Sequence, residues 1–193
     1  MNRNKLALAL TLLALPALPL LQGCAPMAVA GMGAVVVMAD DRRTTGMYIE
    51  DENIEWKVLG MGGGTDFQGA HVNATSYNRR VLLTGEVPTE EGKKKVEDAV
   101  RKIENVRDVI NELQIAGASS LASRGNDALV TSNVKARMVN NGKFSPTHVK
   151  VLTEQGVVFL MGLVTAAEGD AAVEIARTTA GVARVVKVFE YIG

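Results

Sequence analysis

An internal repeat constrains the fold of this chain more than any other feature of the sequence. The stretch 156–164 reads GVVFLMGLV, and its weaker counterpart at 80–87 reads RVLLTGEV. Aligned at their glycines, the two stretches share four positions, which are Val81 with Val158, Leu83 with Leu160, Gly85 with Gly162 and Val87 with Val164. The alignment extends upstream, where His71-Val72 matches His148-Val149. We interpret these matches as two copies of one small domain, and a repeat of this kind decides the fold class.

Residue patterns predict the same order of elements in each copy: helix, strand, strand, helix, strand. In the first copy, Asp51 is predicted to cap an amphipathic helix at its N-terminus. The elements that follow are strands at 70–77 and 80–87, a helix capped by Thr89 and a strand at 106–115. The second copy contains a helix at 127–140, strands at 147–153 and 157–164, a helix at 166–180 behind the capping-box pair Thr165/Glu168, and a strand at 183–192. This pattern predicts an α+β fold.

The sequence divides into five segments. They are a signal peptide (1–23), a lipidated N-terminal tether (24–45), a first domain (46–115), a linker rich in small residues (116–126) and a second domain (127–193). Domains of this size are near the lower limit for an independent core, so we expect the two to pack on each other. Residues 46–117 carry nine Lys/Arg against thirteen Asp/Glu, and residues 127–193 carry seven against six. Neither half is basic enough to indicate a nucleic-acid-binding protein.

The second strand of each copy predicts how the sheets are covered. Alternate residues of a strand face opposite sides, and the shared apolar positions are expected to meet the helices. The other face of the first copy is predicted to be a solvent-exposed surface, and it consists of Arg80, Leu82, Thr84 and Glu86. The same face of the second copy is apolar and must be covered by the first repeat or the linker; it consists of Val157, Phe159, Met161 and Leu163. The strand glycines Gly85 and Gly162 are each expected to let a helix approach the sheet closely.

The first helix carries two apolar stripes. Ile54, Val58 and Met61 recur at helical spacing and are predicted to face the core. Trp56 and Leu59 lie roughly opposite, so they need cover from the other repeat or from a molecule outside the chain.

The N-terminus has the features of a bacterial lipoprotein signal. Residues 2–5 are basic, and 6–21 form an apolar run that is too short to span a membrane. The run ends in Leu21-Gln-Gly-Cys24, which resembles the lipobox and implies cleavage before Cys24 and its acylation, with palmitate among the acyl chains. Several acyl chains give a durable anchor. Ala25 replaces the aspartate that retains lipoproteins at the inner membrane, which favours an outer-membrane location facing the periplasm.

Two alternatives remain open near the N-terminus. Cys24 is either the acylated residue or a free cysteine that follows a signal peptide. Residues 25–39 are small and apolar, and they form a flexible tether, lie at the lipid surface or pack on a partner.

The sequence contains no pattern that predicts catalysis, a cofactor or a metal site. With one cysteine and two histidines, neither a disulfide within the chain nor a Cys/His metal site is expected. His71 and His148 occupy the same position of the repeat, which predicts a duplicated structural role in separate domains. The sequence also lacks a phosphate loop and a nucleophile elbow. A non-enzymatic protein is therefore expected.

These features resemble the dual BON-domain outer-membrane lipoproteins. The repeated unit, the strand glycine and the lipobox carry the resemblance, together with Asn126-Asp127, the stretch 133–135 and the stretch 158–165. It implies two tandem BON domains, each α-β-β-α-β with a three-stranded mixed sheet and two helices packed on one face. It also implies a periplasm-facing lipoprotein that supports outer-membrane integrity and binds anionic phospholipid, namely phosphatidylglycerol or cardiolipin.

In this family the second domain binds lipid, chiefly through its first helix. The lipid-binding residues implied for this sequence are Leu129, Val130, Val134, Lys135, Arg137 and Val139. Leu129 stands where the family has a membrane-inserting tryptophan. Helical spacing places Val130 and Val134 on the inward stripe and leaves Leu129 able to face outward.

The residues alone permit a different function. Leu129 would then complete the core, and the two cations would be ordinary solvated side chains. In that case the chain acts as a structural adaptor, which holds another envelope protein through Trp56 and Leu59 or through the sheet edges.

Overall fold

A computed structural model describes residues 40–61 and 69–193. The predicted signal peptide, Cys24 and the segment 25–39 lie outside the described residues. Within the described ranges, no helix combines the length and the apolar character that crossing a membrane requires.

The first domain follows the predicted order of elements. Its elements are α1 (Thr45–Met61), β1 (His71–Tyr77), β2 (Arg80–Val87), α2 (Glu90–Val100), β3 (Asp108–Asn111) and β4 (Gln114–Ile115). Strand β1 pairs antiparallel with β2, while β3 and β4 both pair parallel with β2. The third predicted strand is thus divided into two short strands. Thr89 caps α2 as predicted, because its side chain accepts a hydrogen bond from the backbone N–H of Gly92.

The second domain repeats this arrangement. Its elements are α3 (Leu121–Val139), a single 3₁₀ turn (Pro146–His148), β5 (Val149–Glu154), β6 (Val157–Val164), α4 (Ala166–Arg177) and β7 (Arg184–Tyr191). Strand β6 pairs antiparallel with β5 and parallel with β7. The capping box at the start of α4 is confirmed, since Thr165 and Glu168 bind each other's backbone N–H groups. The predicted α+β class and the mixed sheets are confirmed.

Each domain has its own core between its helices and one face of its sheet. In the first domain, Ile54 and Val58 of α1 pack with Val81 and Leu83 of β2. In the second domain, Val130, Val134 and Met138 of α3 pack with the equivalent face of β6. The inward stripes predicted from helical spacing are therefore confirmed in both domains.

The two sheets pack against each other through their other faces. Leu82 of β2 lies in one buried cluster with Phe159, Met161 and Val188 of the second domain. The first repeat thus covers the apolar face of β6, as predicted. The prediction of a solvent-exposed face on β2 is wrong, because Leu82, Thr84 and Glu86 are all buried, whereas Arg80 is only partly buried. Each domain is near the lower size limit for an independent core. A third core, between the two sheets, adds to the core of each domain.

Two helices begin earlier than predicted. Helix α1 starts at Thr45, so Asp51 is not its N-cap but a buried residue in its middle. Helix α3 starts at Leu121, inside the predicted linker, because the side chain of Ser120 accepts a hydrogen bond from the backbone N–H of Ser123. The linker is therefore shorter than its composition suggested.

The strand glycines accommodate a neighbouring strand and not a helix. A Cβ on Gly85 would lie 2.0 Å from the carbonyl oxygen of His71, and a Cβ on Gly162 would lie 2.3 Å from that of His148. Both carbonyls belong to residues at the start of the paired strand or just before it. The prediction that a helix approaches closely at these glycines is wrong. The glycines instead allow the backbones of two neighbouring chain segments to approach each other closely.

Candidate functional site

The outer face of α3 is the candidate membrane interface. Its centre is Leu129, which is 66% exposed, and its two ends are Leu121 and Val139, which are 83% and 64% exposed. A helix turns about 100° per residue, so Leu121 and Val139, about five turns apart, point to the same side. Leu129 lies about 80° around the helix from them. The three aliphatic side chains mark one solvent-facing surface that is about 27 Å long.

Small residues fill the space between these three side chains. All of them are exposed, and they are Gly125, Ala128, Ser132 and Ala136. Because none projects far from the helix, a flat surface could approach the whole face closely. Lys135 is exposed and lies about 40° from Leu121, so it adds a positive charge at the edge of the same face.

The structure separates five of the six residues implied by the family resemblance into two groups. Leu129, Lys135 and Val139 are exposed on the outer face. Val130 and Val134 are 3% and 0% exposed, so the interpretation of these two as lipid-contacting residues is wrong while the helix stays folded on its domain. They belong to the core, because helical spacing turns them toward β5 and β6.

Arg137 lies on α3 but points toward α4. Its guanidinium donates to the carbonyl oxygen of Ile175 at 2.9 Å and to the hydroxyl oxygens of Thr178 and Thr179 at 3.0 and 2.6 Å. These groups form the C-terminal end of α4, where a cation complements the helix dipole. A phosphate group would have to compete with all three bonds, so Lys135 is the more available cation.

Leu121 is a member of the outer face that the sequence analysis missed. It fell within the predicted linker, where the composition is dominated by Gly, Ala and Ser. The signal that could have identified it is Ser120, a favourable N-cap residue directly before an aliphatic residue.

A short segment at the start of the described chain, residues 40–43, holds both domains. We call it the strap. Arg42 donates two hydrogen bonds to the carboxylate of Glu168 on α4, at 2.7 and 2.8 Å, and one to the carbonyl oxygen of Leu163 at 2.8 Å. Arg43 forms an ion pair with Asp51 of α1 at 2.8 Å. The strap therefore fastens the end of the tether to the second domain and to the first.

The strap contacts the second domain just beyond the C-terminal end of α3. Asp40 accepts hydrogen bonds from the hydroxyls of Ser145 and Thr147, and its carbonyl oxygen lies 3.0 Å from His148 Nε2. These hydrogen bonds lower the pKa of Asp40. Beside this contact, strap residues and the end of α3 line one cleft of about 430 Å³. The cleft includes Lys135 and Val139, so the first described residues lie near one end of the outer face.

A second exposed apolar surface lies on α1. Trp56 and Leu59 are 67% and 66% exposed, so the other repeat does not cover them. Within the residues that the structure describes, the predicted cover by the other repeat is therefore not found. Lys57, the residue after Trp56, is also exposed.

One group of side chains in the described part of the chain has the composition of a metal site. It consists of His71, Glu86 and Glu154, at the junction of the two domains. No metal site was predicted from the sequence, and His148, the repeat counterpart of His71, is not a member of this group.

Comparisons with known proteins agree with this architecture. The BON domain model matches residues 51–117 and 126–193. The chain is 39% identical over 175 residues to Outer membrane lipoprotein DolP of Haemophilus influenzae, covering 89% of this chain and 90% of that protein. It is 33% identical over 155 residues to a 21 kDa hemolysin of Actinobacillus pleuropneumoniae, covering 79% of each. It is 27% identical over 141 residues to Osmotically-inducible protein Y of Escherichia coli, covering 71% of this chain and 70% of that protein.

Proposed function

Because this chain belongs to the BON-domain family and is an outer-membrane lipoprotein with two such domains, we propose that it is not an enzyme and that it binds anionic phospholipid through the outer face of α3. In this proposal Cys24 carries the acyl anchor, the folded unit faces the periplasm, and lipid contact supports the integrity of the envelope. The observation that carries the proposal is the exposure of three aliphatic side chains along one helix face, with Lys135 at its edge.

Exposed aliphatic residues on this helix are suited to an interfacial contact. Fully burying a Leu or Val side chain contributes about 1.5–3 kcal/mol, and a lysine near an anionic surface contributes about 1 kcal/mol. The sum is modest once the cost of immobilising the protein is subtracted. The contact is therefore expected to be weak for the chain without its acyl groups.

The tether explains why a weak contact is sufficient. Cys24 precedes Asp40 by 16 residues (40 − 24), so even a fully extended tether reaches at most about 55 Å. A folded unit held this close meets the membrane at a high effective concentration. The strap also fixes where the tether joins the unit, next to Lys135 and Val139. This placement supports an arrangement in which α3 is close to the bilayer.

Vesicle co-sedimentation tests the proposal. The chain from Asp40 onward is mixed with vesicles of phosphatidylcholine, with and without phosphatidylglycerol or cardiolipin. Binding is expected only with the anionic lipids, and it should weaken as salt screens Lys135. The double variant Leu129→Glu with Lys135→Glu should lose binding.

A matched control is available on α1. The double variant Leu59→Glu with Lys57→Glu makes the same changes, and Leu59 has the same 66% exposure as Leu129. It should bind like the unmodified chain. Equal loss in both variants would show a general charge effect, and binding that is unchanged in the α3 variant would contradict the proposal.

The exposed surface of α1 favours a second candidate function. Trp56 and Leu59 form an apolar patch on the first domain that suits docking on another envelope protein. Trp56 is the single tryptophan of the chain, so incorporated fluorotryptophan gives one ¹⁹F NMR signal that reports on that surface and that an unlabelled extract does not contain. A shift of this signal with an envelope extract, but not with vesicles, would support the adaptor function.

A further inference from the structure

His71, Glu86 and Glu154 converge where the two domains meet. Their potential ligand atoms all lie within 4.8 Å of one another. His71 opens β1 and is paired with Glu86 near the end of β2, while Glu154 ends β5 in the other domain. Glu86 is fully buried, Glu154 is 9% exposed, and the His71 side chain is 20% exposed. The cluster is thus built from both domains and reaches solvent on the side of the imidazole.

The two carboxylates of this cluster have no lysine or arginine partner among the described residues. In the ranges 40–61 and 69–193, neither Glu86 nor Glu154 forms an ion pair with Lys or Arg, and His71 at 3.1 Å is the one ionisable partner of Glu86. Buried carboxylates are ordinarily paired with a cation or bound to a metal.

The polar neighbours of the cluster hold both carboxylates in place. Asn73 donates to Glu154 at 3.0 Å, and the backbone N–H of Ser119 donates to Glu86 at 3.1 Å. Gln155 donates to the other oxygen of Glu86. Each carboxylate therefore has fixed outer partners, which is the arrangement that orients metal ligands in proteins.

We propose that this cluster binds a divalent transition-metal ion of the zinc type. Its ligands are His71 Nδ1 and one carboxylate oxygen each from Glu86 and Glu154, and a water molecule takes the fourth position. Zinc accepts imidazole nitrogen and carboxylate oxygen in a four-coordinate site. Calcium and magnesium are less suited, because they prefer sets of six or more oxygen ligands or an octahedral shell rich in water. An open cleft of about 520 Å³, lined by His71 and Glu154, gives the ion access.

The second copy of the repeat does not reproduce this site. In the alignment that pairs His71 with His148, the counterpart of Glu86 is Leu163, and the counterpart of Glu154 is Tyr77. His148 therefore lacks both carboxylates of the cluster. The ion would join the first domain to the second, so its binding should stabilise their association. This inference does not depend on lipid binding.

Isothermal titration calorimetry with zinc tests the site. The chain from residue 24 onward carries Cys24→Ser, which removes a thiol that would itself bind zinc. With ZnCl₂ as the probe, we expect one ion per chain and a higher melting temperature in the presence of zinc. The two histidines provide an internal comparison by NMR. The ring nitrogen signals of His71 should shift on zinc addition, and those of His148 should stay unchanged.

Three variants separate this site from adventitious binding. Glu154→Gln and His71→Gln should each weaken zinc binding about tenfold or more, whereas the matched control His148→Gln should bind like the parent chain. The proposal is overturned if the parent chain shows no zinc heat and no shift of His71. It is equally overturned if Glu154→Gln binds as tightly as the parent, or if His148 is the histidine that responds. The parent titration decides even where a variant fails to fold.

Discussion

Asp51 and Asp127 hold equivalent turns in the two domains. Asp51 accepts backbone hydrogen bonds from Asn78 and Arg79 at 2.8 and 2.7 Å. Asp127 accepts them from Gln155 and Gly156 at 2.9 and 2.8 Å. Each carboxylate lies in the first helix of its domain and accepts hydrogen bonds from the backbone N–H groups of the tight turn between the first two strands.

These turns depend on their carboxylates. All four turn residues have positive φ, between 49° and 74°. A turn of this geometry matches the twist of a hairpin but is strained for residues other than glycine. The hydrogen bonds from a buried aspartate therefore fix the register of each hairpin on the helix above it.

Replacing either aspartate should destabilise the protein. Asp127→Ala leaves two N–H groups without their acceptor, so we expect a loss of about 2–3 kcal/mol in the free energy of unfolding by urea. Asp51→Ala should cost more, because Arg43 and Ser76 also lose an acceptor. Asp170→Ala, at an exposed position of α4, is the control and should change stability by less than about 0.5 kcal/mol. Equal effects at positions 127 and 170 would contradict this account of the turns.

A side chain at Gly85 should be poorly tolerated. The φ of Gly85 is +107°, and an added Cβ would lie 2.0 Å from the carbonyl oxygen of His71. Gly85→Ala should therefore lower the free energy of unfolding by about 3 kcal/mol or more. Gly125→Ala is the matched control, since nothing lies within 4 Å of its added Cβ on the exposed side of α3. It should stabilise the protein by about 0.5–1 kcal/mol. A tolerated alanine at position 85 would show that the strands can separate there at little cost.

The ion pair between the strap and Glu168 should cause the protein to lose stability as the pH falls below about 4.5. Hydrogen bonds from Arg42 lower the pKa of Glu168 from its ordinary value of 4.5 to about 2, although burial opposes this shift. A lowered folded-state pKa contributes stability above about pH 4.5, and this contribution is lost as the pH falls toward 2. We expect Arg42→Ala to raise the pKa of Glu168, measured by NMR titration, and to reduce the loss of stability between pH 5 and pH 2. Arg177→Ala, which breaks the exposed pair with Glu174, should leave that pH dependence unchanged.

Local patterns in the sequence predicted most of the fold. Periodicity and caps gave the order of elements, because these signals depend on residues within one or two turns of each other. The apolar face of β6 also predicted that the two copies would pack together. The face of β2 was misinterpreted, since a polar residue such as Glu86 is buried here only with the help of Ser119, Gln155 and His71. Those partners are far apart in sequence, and one belongs to the other domain.

The candidate sites were likewise predictable only where they depend on local patterns in the sequence. Leu129 and Val139 could be identified from a helical pattern and a family resemblance. Asp51 looked like an N-cap, because three of its true partners, Ser76, Asn78 and Arg79, lie 25 or more residues away in the sequence. The cluster of His71, Glu86 and Glu154 has no motif spacing, since it is formed by strand pairing and by the docking of two domains. Such a site can be recognised only in three dimensions.

The most direct test of the central proposal is to measure which surface of the protein touches the bilayer. The chain from Asp40 onward contains no cysteine, so a single environment-sensitive fluorophore can be attached at Leu129→Cys or, as the matched control, at Leu59→Cys. With vesicles containing phosphatidylglycerol, emission from position 129 should shift to the blue and be quenched by brominated lipid tails. Emission from position 59 should stay unchanged. An unchanged signal at position 129, in protein that still sediments with the vesicles, would contradict the assignment of lipid binding to α3.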